Sequence, residues 1–65
     1  MQGNVKFFDS TRGFGFISRA QGEDVFVHAS NLHPDANGAL ADGQLVDFEI
    51  GTGRKGDEAR NVRPV

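Results

Sequence analysis

The sequence contains no cysteine, no tryptophan and no tyrosine, only two prolines, and no apolar run longer than three residues. Without cysteine the chain forms neither a disulfide framework nor a thiolate zinc site, the devices that often stabilise very small domains, and it is compatible with a reducing compartment. No segment is predicted to span a membrane, and Met1–Asn4 lack the charge and apolar core of a signal peptide. We therefore expect one small cytoplasmic domain over residues 1–65.

Negative charge is concentrated in the middle of the chain. Residues 20–49 carry six acidic side chains and neither Lys nor Arg, so their net charge is −6. Residues 1–19 and 50–65 each have a net charge of +2, and the three segments sum to the formal charge of −2. If the fold brings the two end segments together, they form one basic face on an acidic protein. The alternative is a solvated surface with scattered charge, and the charges alone leave both open.

Apolar residues alternate with a period of two, which is typical of half-buried β-strands. Five segments are predicted to be strands: residues 3–8, 14–19, 24–28, 44–50 and 59–65. The long connection over residues 29–43 contains three turn signals and no stretch long enough for an independently stable helix. We predict an all-β fold, a small five-stranded antiparallel β-barrel, because closure removes strand edges that so small a sheet could not cover.

Alternation separates aromatic from aliphatic side chains in the second and third predicted strands. Phe14 and Phe16 share one face, as do Phe26 and His28. The compact side chains of the other faces suit a narrow barrel interior, together with residues of the first and fourth strands. The predicted interior consists of Val5, Ile17, Val25, Val27, Val46, Phe48 and Ile50. The rings of Phe14, Phe16, Phe26 and His28 are then predicted to point outward.

Phe7 can join these outward rings only if Phe8 turns inward, which requires a β-bulge after the inward-facing Val5. The opposite assignment places the phenylalanines in the core, which is the commoner arrangement for aromatic pairs. It would also bury His28 without an evident partner.

An exposed cluster of rings usually marks a binding surface. Rings flanked by Lys6, Arg12 and Arg60 suit unpaired nucleobases, which offer faces for stacking and phosphates to neutralise. We therefore favour a module that binds single-stranded nucleic acid. The alternative is a small barrel that binds a protein partner through the same patch.

These residues also carry a family resemblance. Residues 6–9 (KFFD) followed by residues 12–17 (RGFGFI) resemble the first RNA-binding motif of cold-shock domains, and residues 24–30 (DVFVHAS) resemble the second. Residues 42–48 and 59–62 also fit, so the resemblance extends over essentially the whole chain. The chain is similar to bacterial cold-shock proteins.

The resemblance implies a five-stranded OB-type barrel that binds single-stranded RNA and DNA and acts as an RNA chaperone in the cold-shock response. It implies stacking roles for Phe14, Phe16, Phe26 and His28 and basic contacts from Lys6 and Arg12. In this chain Phe7 stands where the family usually has Trp, Ala29 where many members have Phe, and Asn37 about where a loop Phe is common. We expect a monomer rather than a strand-swapped dimer.

Other chemistry is not indicated. Residues 51–56 match the dinucleotide-binding glycine pattern, but only nine residues follow, too few for the crossover helix and second strand of that unit. A hairpin loop is the better interpretation, with Arg54 and Lys55 as candidates for phosphate contact. His28 and His33 lack zinc-ligand spacing, and no nucleophile–base arrangement is visible. We predict neither an enzyme nor a cofactor or metal.

Overall fold

The structure, a computed structural model, describes residues 1–54 and 56–65. Lys55, a predicted phosphate contact, lies outside the described residues. Five strands follow one another along the chain, with two short 3₁₀ turns between the third and the fourth. The strands are β1 (Gln2–Asp9), β2 (Phe14–Ser18), β3 (Val25–His28), β4 (Leu45–Gly53) and β5 (Gly56–Pro64), and the turns are Ala29–Asn31 and Pro34–Ala36. No helix of the described residues is long and apolar enough to cross a membrane.

The strands form a closed barrel in the order β1-β2-β3-β5-β4, which confirms the predicted all-β barrel. One detail of the prediction needs correction, because β3 and β5 pair in parallel while the other four neighbouring pairs are antiparallel. Five strands in a ring cannot alternate in direction all the way round, so at least one neighbouring pair must be parallel.

A β-bulge at Lys6 allows β1 to present residues to both sides of the barrel. Val5 pairs with Ile17 but Phe7 pairs with Phe16, so one extra residue of β1 lies between the two pairs. Val5 is buried, Phe7 is exposed and Phe8 packs against the core. The predicted bulge is confirmed, and it shifts the alternation so that Phe7 faces outward.

The barrel interior contains six of the seven side chains predicted to fill it, and Ile50 is only partly buried against them. The core has four further members that the alternation did not indicate, namely Ala36, Leu40, Ala59 and Val62. Ala36 and Leu40 belong to the long connection. Ala59 and Val62 are three residues apart on β5, and both face inward because the β4–β5 register shifts near Asn61, whose φ is 54°.

Gly15 occupies the inward-facing position of β2 between the outward-facing Phe14 and Phe16, and this position has no room for a side chain. A Cβ on Gly15 would overlap the carbonyl oxygen of Phe7 and lie 2.7 Å from the Cα of Phe8. The backbone of β1 therefore approaches β2 too closely for any side chain here.

Candidate nucleic-acid interface

Four phenylalanine rings lie in mutual contact on the outer surface of β1, β2 and β3. Strand register brings them together, because Phe16 of β2 pairs with Phe7 on one side and with Phe26 on the other. The Phe7 and Phe16 ring centroids are 5.7 Å apart and those of Phe16 and Phe26 are 5.8 Å apart. Phe14 lies 6.4 Å from Phe7 and is stacked on Phe26 at 6.0 Å with an interplanar angle of 23°.

These rings remain open to solvent. Phe7 is 39% exposed, the other three rings are half-buried, and the aliphatic neighbours Ile17, Val25 and Val27 are buried. The sequence-based assignment of faces is therefore correct, and the opposite assignment is wrong. We call the surface formed by Phe7, Phe14, Phe16, Phe26 and His28 the aromatic face.

His28 extends the aromatic face at the end of β3. It is exposed and pairs in register with Phe14. Its Nδ1 lies 2.9 Å from the Ser30 hydroxyl and accepts a hydrogen bond from the Ser30 backbone N–H at 3.1 Å. These contacts fix the ring on its Nδ1 side and leave its flat surface turned to solvent.

The basic residues predicted to flank the rings are each close to a carboxylate. Lys6 Nζ lies 2.9 Å from Asp24 Oδ2, Arg12 Nε lies 3.9 Å from Asp9 Oδ2, and Arg60 Nε lies 3.5 Å from Glu58 Oε2. The surface around the rings therefore carries both signs of charge rather than one uniform basic patch. The exposed Lys6–Asp24 and Arg12–Asp9 pairs contribute about 0–1 kcal/mol each, so a phosphate can compete for these two cations.

Two grooves lie on either side of Phe26. The larger, of about 580 Å³, is bounded by His28, Asn31, Arg54 and Glu58. The smaller, of about 380 Å³, lies beside Phe14 and Phe16 and is bounded by Arg19, Glu23 and Asp24. Both volumes fall within about 300–1,000 Å³, the range of small-molecule sites. Phe26, Gly56 and Asp57 line both grooves.

Several residues of these grooves were not predicted. Arg19 lines the smaller groove, where its Nε donates to the Glu23 carbonyl oxygen at 2.8 Å. Asn31 and Glu58 line the larger groove and are joined by a hydrogen bond of 2.9 Å across 27 residues of sequence. Arg19 is a basic residue at the end of an aromatic strand, a signal that could have identified it. A contact as distant in sequence as Asn31–Glu58 leaves no local pattern.

The description "'Cold-shock' DNA-binding domain" belongs to the family model that matches residues 1–65, the full length of the chain. The chain belongs to the cold-shock domain family. A cold shock-like protein of Thermotoga maritima is 48% identical over 65 residues, which are 100% of this chain and 98% of the relative. A cold shock-like protein CspC of Bacillus cereus is 50% identical over 62 residues, 95% of both chains.

A third relative, the cold shock-like protein CspE of Escherichia coli K12, is 49% identical over 63 residues, covering 95% of this chain and 91% of the relative. The resemblance inferred from the two motifs is therefore confirmed. The matching family is one of nucleic-acid-binding domains and not a catalytic family.

In the segment that follows β3, the structure places the two positions at which the resemblance implies rings. The backbone N–H of Ala29 donates to the Gly13 carbonyl at 2.8 Å, which places Ala29 beside the aromatic face. Asn37 ends the second 3₁₀ turn with a φ of 53° and is exposed. The two positions where the resemblance implies rings thus carry a methyl group and an amide.

The remaining candidates from the sequence are His33 and the glycines of the dinucleotide-like pattern, and both take part in local structure. His33 caps the second 3₁₀ turn by accepting from the Asp35 N–H at 3.1 Å. Among residues 1–54 and 56–65, no group of three or more potential metal-ligating side chains occurs. Within the dinucleotide-like pattern, Gly51 and Gly53 belong to β4, Gly56 begins β5, and Gly53 pairs with Gly56 across the β4–β5 hairpin.

Proposed function

We propose that this cold-shock domain binds single-stranded RNA and DNA by stacking unpaired bases on the aromatic face. The supporting observation is the set of four phenylalanine rings, with centroids 5.7–6.4 Å apart, on the outside of the barrel. Exposing so many rings is unfavourable in water unless a ligand covers them. Each base stacked on such a ring contributes about 1–3 kcal/mol, whatever its identity.

The stacking requirement selects for unpaired strands. A base within a duplex is already stacked on its neighbours and offers only its edges, whereas a splayed base offers its whole face. The formal charge of −2 also disfavours the sequence-independent attraction to phosphates on which duplex affinity largely depends. We therefore propose that the ligand is single-stranded and that a duplex binds much more weakly.

Phosphate contacts in this proposal come from the cations around the rings, Lys6, Arg12, Arg54 and Arg60, with Lys55 kept from the sequence prediction alone. Lys6 and Arg12 flank the β1–β2 side, while Arg54 bounds the larger groove. The Lys6–Asp24 and Arg12–Asp9 pairs lie at the surface, so these two cations can exchange a carboxylate for a phosphate at little cost.

We further propose that the domain acts as a monomeric RNA chaperone of the cold-shock type in the cytoplasm. A protein that binds unpaired but not paired RNA shifts the equilibrium towards unpaired RNA by RT ln(1 + [L]/Kd), where L is the protein. This requires no nucleotide hydrolysis. Chaperoning by this route also fits a domain of 65 residues, because many copies of so small a protein can bind along one strand.

Fluorescence anisotropy of a labelled heptathymidine, titrated with the protein at several salt concentrations, tests the proposal. We expect binding whose log affinity falls linearly with log salt, with a slope of about −0.7 per phosphate neutralised. A hairpin stem of equal length should bind at least tenfold more weakly. Equal binding of the stem and the heptamer contradicts the stacking proposal, and failure to bind either would favour the alternative of a protein partner.

A further inference from the structure

Asn37 and Gly38 form a tight turn in the connection that leads from the second 3₁₀ turn to β4. Both residues have a positive φ, 53° for Asn37 and 79° for Gly38, and the Ala39 N–H donates to the Ala36 carbonyl oxygen at 3.2 Å. Two central residues with positive φ beneath such a hydrogen bond make a type I′ turn. Asparagine tolerates this backbone region better than most residues, and glycine adopts it without strain.

The peptide group between Asn37 and Gly38 is not held in place. No backbone hydrogen bond from the Gly38 N–H occurs among the described residues, although Asn37 and Ala39 on either side both donate one. Both turn residues are exposed, and a Cβ on Gly38 would meet no heavy atom within 4 Å beyond its chain neighbours. The plane of this peptide group can therefore rotate, and the Gly38 nitrogen is open to solvent.

This rotation brings the Gly38 nitrogen to the Asn37 side chain. Flipping the central peptide group of a type I′ turn gives a type II′ turn, whose first central residue has a φ of about +60° and a ψ of about −120°. Asn37 already has that φ, and its ψ of 34° is the angle that must change. At the type II′ value of ψ, the Cα–Cβ bond of an L-residue eclipses the following nitrogen. Asn37 Cγ then lies next to the Gly38 nitrogen, and a five-membered ring can close.

Ring closure releases ammonia. The Gly38 nitrogen gives its proton to water, and its electron pair forms a bond to Asn37 Cγ. The Cγ–Nδ2 bond breaks, and Nδ2 takes up a proton and leaves as ammonia. Water then opens the succinimide ring. Cleavage between the nitrogen and Cγ gives aspartate, whereas cleavage between the nitrogen and the backbone carbonyl carbon gives isoaspartate. Water is the only other reactant.

Other residues of the chain lack this combination of features. Asn61 is the nearest match, because it is exposed and has a φ of 54°, but it lies within β5 and precedes the fully buried, β-branched Val62. The remaining asparagines also precede valine or leucine. Asp42 precedes a glycine, but the Gly43 N–H donates to the Val5 carbonyl oxygen at 2.6 Å, which holds that peptide group in place.

We propose that Asn37 is a modification site of the folded domain, at which the side chain deamidates spontaneously through a succinimide formed with the Gly38 nitrogen. The inference is independent of nucleic-acid binding. Either product makes the formal charge of −2 more negative by a single unit. Isoaspartate also lengthens the backbone by a methylene group between Ala36 and Leu40, two core residues that flank the turn. This product should therefore loosen their packing and lower Tm.

Timed incubation of the wild-type protein in neutral buffer tests the inference. Peptide mass spectrometry should find the mass gain that accompanies conversion of an amide to an acid at Asn37, before any conversion at Asn61 is measurable. Methylation by an isoaspartyl methyltransferase should detect the isoaspartate product. The isoaspartate fraction, separated by ion exchange, should melt at a lower temperature than the unmodified protein.

Substitutions of two glycines separate the turn chemistry from a general loss of stability. Gly38→Ala keeps Asn37 but restricts the peptide flip and crowds the attacking nitrogen, so conversion should nearly stop. Gly43→Ala is the matched control, because Gly43 has a φ of 81° and equally open surroundings. It introduces the same backbone strain away from Asn37 and should leave the rate unchanged. Asn37→Gln, which would need a six-membered ring, should also resist conversion and serves if Gly38→Ala does not fold.

Four results overturn the inference. The first is a folded wild type that stays unmodified at Asn37 while the same chain in urea converts. The second is conversion of Asn61 as fast as that of Asn37. The third is conversion of folded Gly38→Ala, or of Asn37→Gln, at the wild-type rate. The fourth is faster conversion in Gly43→Ala in proportion to its loss of stability, which would place the reaction in the unfolded chain rather than in the native turn.

Discussion

Replacing Phe16 by alanine separates the contribution of the aromatic face to binding from its contribution to stability. Phe16 lies on β2, the middle strand of the three that form the face, in contact with Phe7 at 5.7 Å and with Phe26 at 5.8 Å. The substitution removes one stacking platform, worth about 1–3 kcal/mol of binding free energy. Heptathymidine affinity should therefore fall about fivefold to more than a hundredfold.

The free energy of unfolding should change less than for a core phenylalanine, for which truncation costs about 3–5 kcal/mol. Phe16 is half-buried, and what it loses is mainly two aromatic contacts of about 0.5–1.5 kcal/mol each. Val27 is the matched control. Its side chain is fully buried, and Val27→Ala removes two methyl groups worth about 0.8 kcal/mol each plus the cavity left behind.

Circular dichroism melts and anisotropy on the same samples measure both effects, with a shift in Tm of about 4–8 °C per kcal/mol for a domain of this size. We expect Phe16→Ala to lose binding and Val27→Ala to lose stability while its folded fraction still binds. The reasoning is refuted if Phe16→Ala unfolds the domain with Val27→Ala intact, or if folded Phe16→Ala binds like the wild type.

Three further substitutions test other parts of the structure. Ala29→Phe should add a stacking ring beside the aromatic face and strengthen heptathymidine binding about fivefold without changing the salt slope, whereas Ala29→Leu should not; a loss of affinity in a folded Ala29→Phe variant would contradict this. Gly15→Ala should strongly lower Tm, because its Cβ would overlap the Phe7 carbonyl oxygen, and an unchanged Tm would show that the β1–β2 approach is looser. A hydrogen bond from the Met1 amino group and the nearby Arg63 guanidinium lower the pKa of Asp47. The ionised Asp47 carboxylate therefore stabilises the fold above the ordinary carboxyl pKa, and this contribution is lost as the pH falls through the lowered pKa. The Tm difference between wild type and Asp47→Asn should therefore be present at pH 7 and vanish in strong acid, and a difference that persists there would exclude this ionic origin.

The strands, their faces and most of the core follow from local pattern, because a strand with one buried side alternates with a period of two. The bulge in β1 could also be anticipated, since Val5 and Phe8 cannot both face inward without an extra residue. By contrast, nothing local marks Ala36 and Leu40 as core residues. They lie in a turn-rich connection and become buried only where that connection packs on the barrel.

Strand lengths at the β4–β5 hairpin were underestimated for a related reason. Glycine is unfavourable in strands, so residues 51–53 and 56 were predicted to be loop, although Gly51 and Gly53 are strand residues beneath the side chains of Arg60 and Glu58. The cations were predicted from the sequence, but their carboxylate partners were not. Lys6 of β1 and Asp24, which directly precedes β3, are 18 residues apart in sequence, so their contact depends on packing that only the folded barrel defines.

Fluorine NMR of the protein labelled with 4-fluorophenylalanine tests the central claim most directly, because all six phenylalanines report in one spectrum. Single Phe→Leu variants assign the resonances. On addition of heptathymidine, the signals of Phe7, Phe14, Phe16 and Phe26 should shift through the ring currents of stacked bases, while that of Phe48, which is buried inside the barrel, should stay in place. If heptathymidine binds and these four signals remain where they were, the bases do not stack on the aromatic face.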